Sequence, residues 1–96
     1  MHEPAPVSTL VLTALNGEPL ADHDTRGSVV AAAQSLAERC GVRIVHLTTT
    51  DTAISITIEG STVEAVGFAG ELRTITNTWF GNKFRDGPLW GTPRPT

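Results

Sequence analysis

Apolar and polar residues alternate strictly from Ala53 to Glu59, with Ile54, Ile56 and Ile58 on one side and Ala53, Ser55 and Thr57 on the other. A period of two in β-branched residues marks a strand with one buried face. The stretch from Val42 predicts a partner strand, joined to it by a turn over Thr48 to Thr52 with Asp51 as the turn former. Slipping this hairpin by one residue would expose three isoleucines, so its register organises the fold.

Upstream, Val7 to Leu15 predicts a first strand, with Leu10 and Leu12 on one face and Val11, Thr13 and Leu15 on the other. Two apolar faces suit a central strand. Asn16-Gly17 is a turn signal, but no alternation follows it, so the segment reads as a loop into a helix. That helix begins near Asp22 or Asp24 and ends at Gly41, with Val29, Ala33, Leu36 and Cys40 as its apolar stripe. Cys40 is expected as a small core residue.

A second helix starts at Ser61, whose pairing with Glu64 three residues on makes a capping box, and ends at Gly81. Phe68, Leu72, Ile75 and Trp79 should face the sheet. Val63, Gly67, Gly70 and Thr74 form a small-residue stripe expected to pack against Ala31 to Ala33. Residues 1–6 and 92–96 read as tails of a single domain spanning 7–91, with Phe84, Leu89 and Trp90 pinning its last segment.

The predicted class is α+β and ferredoxin-like: β-α-β-β-α, an antiparallel sheet covered on one face by two helices. The last strand of the full motif is not expected. Val11, Leu15, Val45 and Leu47 would point to the uncovered face, predicting a homodimer through it or a cover formed by Leu89 and Trp90.

Composition narrows the function. The net charge of -3 argues against a general nucleic-acid coat. From Arg73 onward, however, Arg73, Lys83, Arg85 and Arg94 oppose only Asp86. With Trp79, Phe84 and Trp90 among them, they are candidates for single-stranded DNA binding, cations for phosphates and rings for bases. A solvated helix face with its rings in the core is the plainer account, and it is favoured for Trp79. The lone cysteine excludes an internal disulfide framework. The start lacks signal-peptide features, and no apolar run approaches the ~20 residues of a membrane helix. A cytoplasmic protein with no membrane partner is the expectation.

No cofactor site emerges from the residues. His46 alone on a strand is an ordinary surface or structural histidine, and capping explains the aspartates of Asp22-His23-Asp24. Ser55 has no identifiable base, and no glycine-rich phosphate loop is present.

Several segments nonetheless carry a pattern: Asn16-Gly17-Glu18-Pro19-Leu20, then Ala37-Glu38-Arg39-Cys40-Gly41-Val42-Arg43-Ile44, then Leu72 to Phe80, then Gly87-Pro88-Leu89-Trp90-Gly91. Together they resemble the HUH single-tyrosine transposases, particularly the REP-associated branch. In that family the second hairpin strand carries His-hydrophobic-His, which binds the divalent metal at the scissile phosphate. The resemblance lays those positions on Ala53 and Ser55. Alanine has no donor atom and a serine hydroxyl is a poor ligand. The family's nucleophilic tyrosine follows the Leu-Trp step, and this sequence contains no tyrosine. The resemblance therefore implies a truncated, catalytically inactive, metal-free relative that keeps DNA binding. The alternative is a small α+β interaction or dimerisation module without nucleic-acid binding.

Overall fold

The computed structural model describes residues 6–84, 89–90 and 94–95. Strand β1 (Val7–Thr13) leads through a 3-10 turn at Pro19–Ala21 into helix α1 (His23–Cys40). The hairpin β2 (Arg43–Thr49) and β3 (Ala53–Glu59) follows, then helix α2 (Thr62–Phe84) and a two-residue strand β4 (Arg94–Pro95). The sheet order is β2-β3-β1-β4, every pair antiparallel. The class is α+β and ferredoxin-like, as the patterning predicts. Its last strand is not absent: Arg94 and Pro95 pair with Val11 and Leu10 at the sheet edge. None of the described helices is long and apolar enough to cross a membrane.

Register follows the isoleucines. Ile54, Ile56 and Ile58 lie opposite Leu12, Leu10 and Ser8. All three isoleucines and both leucines are buried against Val29, Ala33 and Leu36 of α1 and Phe68 and Leu72 of α2. Each such side chain contributes roughly 1.5–3 kcal/mol on burial.

The helix ends form where the sequence places their signals. Asp22 caps α1 by accepting from the Thr25 amide at 2.9 Å, and Gly41 closes it in the left-handed region at φ 66°. Ser61 accepts from the Glu64 amide at 3.2 Å to cap α2. Gly81 does not stop α2, which continues to Phe84. Glycine ends a helix where its φ turns positive, and Gly81 is not among the glycines that do so.

Four further expectations are corrected. Cys40 is exposed, because α1 has passed beyond the core at its last turn. Strand β1 ends at Thr13, leaving Leu15 exposed beyond the sheet. A Cβ at Gly67 or Gly70 would meet nothing within 4 Å, and Val63 is 81% exposed, so that stripe faces open space and not α1.

The fourth correction decides the character of the uncovered face. A β-bulge falls between Ile44 and His46. The extra residue, Val45, stays outside the pairing, so Ile44 lies opposite Ile58 and Leu47 opposite Ile56. Both therefore pack on the core, as neighbours of the buried isoleucines. Of the four residues expected to make the open face apolar, Leu47 has turned inward and Leu15 lies beyond the strand, which leaves Val11 and Val45 outside the core. Leu89 and Trp90 do not cover it either. They are buried in the core, where the Trp90 indole N–H donates to Thr76 Oγ1 at 2.8 Å and its amide donates to Asn77 Oδ1 at 2.9 Å.

The core tryptophan is thus Trp90, while Trp79 is only half-buried. Trp90→Ala should cost about 3–5 kcal/mol in urea unfolding. Trp79→Ala should cost clearly less in the same measurement. Gly67→Ala and Gly70→Ala should each raise stability by about 0.5–1 kcal/mol, since alanine is the better helix former and meets no neighbour.

Candidate functional site

Strand β3 runs through the middle of the three long strands, so its outward residues occupy the centre of the uncovered face. Ala53 and Ser55 stand there two residues apart, roughly 7 Å along the strand. Ser55 has Val11 beside it on β1 and Thr48 on β2, and Ala53 has Thr13 beside it. Next along lies the row His46, Thr57 and Thr9, whose two threonine hydroxyls share a hydrogen bond of 2.6 Å. Arg43 and Glu59 close the far end with a 3.6 Å ion pair. Exposed to water, that pair contributes on the order of 0–1 kcal/mol.

The face therefore mixes the hydroxyl groups of Ser55, Thr9, Thr13, Thr48 and Thr57 with the apolar side chains of Val7, Val11 and Ala53. Hydroxyls can accept and donate hydrogen bonds to a phosphate, but they are weak metal ligands. Among the described residues no three His, Cys, Asp or Glu side chains converge as a metal site. His46 shares the face but lies opposite Thr57, beside the row that holds Ser55.

The cationic candidates do not form one patch. Arg73 and Lys83 belong to α2, ten residues apart, which turns them about 80° from each other around the helix. Arg94 belongs to β4, paired with Val11 at the sheet edge. Arg85 lies outside the described residues. The structure thus divides a basic stretch of sequence between the helical layer and the sheet.

Lys83 has company that its sequence neighbours do not reveal. It lines a cleft of about 510 Å³ with Glu18, Pro19, Asp22, Asp24, Thr25 and Phe80, where the last turn of α2 meets the first turn of α1. Its ammonium also lies 5.1 Å from the centre of the Trp79 ring, a cation–π contact. No spacing signal could have found this cleft, because its two sides are some sixty positions apart in the chain.

Asp22 is the group in this cleft whose titration is displaced. Its carboxyl is held below the ordinary 3.8 by the Thr25 hydroxyl and the Thr25 amide, with smaller help from the charges of Lys83 and His23 against a desolvation cost. A lowered folded value means that the ionised form is the one favoured by folding. The resulting stability is present above pH 3.8 and is lost as the pH falls through the lower folded value. Asp22→Asn should consequently trail the natural chain in melting temperature near neutral pH, and the gap should narrow on acidification below about pH 4. Thermal melts across that range read it directly.

Comparisons with known proteins add a likeness of fold. No protein-family model matches the sequence, and no curated protein matches it. A crystal structure from Deinococcus radiodurans R1, described as that of a "putative transposase", superposes with a TM-score of 0.77. The match covers 99% of this chain and 80% of that one, at 10% sequence identity. At that identity the likeness concerns the fold alone.

Proposed function

We propose that this chain is a catalytically inactive transposase-like domain that binds single-stranded DNA without cutting it. One observation carries the reading. The strand whose positions the HUH resemblance assigns to metal-binding imidazoles lies at the centre of an open face, and it offers Ala53 and Ser55 there. Without imidazole or carboxylate ligands, no divalent ion is held to polarise a phosphate. Binding rests on a different set of groups: Arg94 of the edge strand for phosphate with the hydroxyls of the open face as hydrogen-bond partners, while Arg73 on α2 and Arg85 are further cationic candidates and not part of that face.

A second reading has its own support. Lys83 stands among the carboxylates of Glu18, Asp22 and Asp24. Those charges repel phosphate, so the helical end of the basic stretch suits a protein contact better than DNA. On this reading the domain is an interaction module that touches no nucleic acid.

Fluorescence anisotropy with a labelled single-stranded oligonucleotide separates the two. The DNA reading expects weak binding at low salt with a log–log salt slope of about -2 to -3, taking roughly 0.7 per neutralised phosphate. Arg73→Glu combined with Arg94→Glu should remove it, whereas Lys83→Glu should leave it nearly unchanged. Absence of binding at low salt would leave the interaction module standing. Incubation with magnesium or manganese should produce no cleavage, and placing histidine at both Ala53 and Ser55 should create zinc affinity, read by calorimetry, that the natural chain lacks. Cleavage by the natural chain would sink the inactive reading.

A further inference from the structure

Asn16-Gly17 is a turn signal that neither the hairpin nor the proposed function uses. It lies on the link between β1 and the 3-10 turn, and Asn16, Gly17 and Glu18 are all exposed. The link is held on either side of the pair. Before it, the Leu15 amide donates to the Leu89 carbonyl at 3.0 Å, and after it, the Leu20 amide donates to the Asp51 carbonyl at 3.0 Å. Between those bonds, neither the Gly17 N–H nor the Asn16 side-chain amide has a hydrogen-bond partner among the described residues. Gly17 takes φ +64°, and a Cβ built on it would meet nothing within 4 Å, so no neighbour crowds the link.

These features decide the chemistry of an asparagine side chain. The backbone nitrogen of the next residue can attack the side-chain carbonyl carbon and close a succinimide ring. A following side chain hinders that approach, and glycine has none. A helix suppresses it, because the attacking N–H is already committed to the carbonyl one turn back. The other two asparagines are of that protected kind. Asn77 and Asn82 both lie within α2, and Asn77 Oδ1 also accepts from the Trp90 amide at 2.9 Å. We propose that Asn16 is a site of spontaneous deamidation, left open by the fold while Asn77 and Asn82 are protected. Hydroxide takes the proton from the Gly17 amide nitrogen, which bonds to Asn16 Cγ. The Cγ–Nδ2 bond breaks, and the nitrogen leaves as ammonia with a proton from water, which regenerates the hydroxide. Water then opens the succinimide. Attack at Cγ gives aspartate, and attack at the main-chain carbonyl carbon gives isoaspartate. Either product adds a negative charge to a chain that already carries -3, two residues before Glu18 of the acidic cleft. The site does not depend on the DNA-binding reading.

Peptide mapping by mass spectrometry tests it, after the folded protein is incubated in mildly alkaline buffer beside a free peptide spanning Leu10 to Asp22. Asn16 of the folded chain should convert within about tenfold of the peptide's rate, a barrier difference under roughly 1.4 kcal/mol. Asn77 and Asn82 should stay intact over the same period. An isoaspartate-specific methyltransferase should label the aged natural chain and not aged Asn16→Gln, whose longer side chain closes its ring far more slowly. That variant should keep the natural melting temperature, because residue 16 is exposed and makes no hydrogen bond through its side chain. Conversion slower than the tenfold limit, or an aged acidic form that maps to Asn77 or Asn82, would overturn the proposal.

Discussion

The isoleucine row on β3 is the constraint that everything else accommodates. Ile54, Ile56 and Ile58 are buried, and each sits across from a residue of β1 and a residue of β2 on the same side of the sheet. Because side chains alternate strictly, committing these three to the core commits Ala53, Ser55 and Thr57 to the opposite face. The core and the candidate site are thus two faces of one strand. No rearrangement of the hairpin can alter one without the other.

Two adjustments complete the core around that row. On β2 the bulge at Val45 lets both Ile44 and Leu47 reach the isoleucines, where an unbroken strand would have sent one of them outward. A bulge also bends and twists its strand, which makes the edge at β2 a poor template for pairing with another chain. At the other side of the sheet, Trp90 is carried in against β1 and α2 and tied by its indole and its amide to Thr76 and Asn77. With β4 beside β1, the return of the chain completes the four-strand order.

The division of surfaces follows. With the largest side chains drawn to the helical side, the open face keeps threonine, serine and histidine beside Val7, Val11 and Ala53, and its polar chemistry is hydrogen bonding. The helical layer holds an acidic cleft that includes Lys83 and an apolar pocket walled by Trp79.

Much of this was legible in the chain. The alternation from Ala53 to Glu59, the helical stripe of Val29, Ala33 and Leu36, the Asp22 and Ser61 caps and the Gly41 stop all depend on residues within a few positions of one another. Local geometry is enough to read them. The positions Ala53 and Ser55 were legible for the same reason, as neighbours on a period of two. What escaped depends on distant partners. The bulge at Val45 is settled by which side chains the isoleucines can pack against, and a strand read alone keeps its regular alternation. Trp79 and Trp90 are equally good core candidates by hydrophobicity, and only the bonds to Thr76 and Asn77 from elsewhere in the chain choose Trp90. Gly67 and Gly70 looked like close-packing residues until the path of α1 left them facing open space. The sequence by itself therefore determined the elements, their caps and the shared face of β3, because those rest on short-range periodicity. Tertiary structure alone decided which tryptophan is buried, which face is polar and where the cavities lie, because each rests on contacts between residues far apart in the chain.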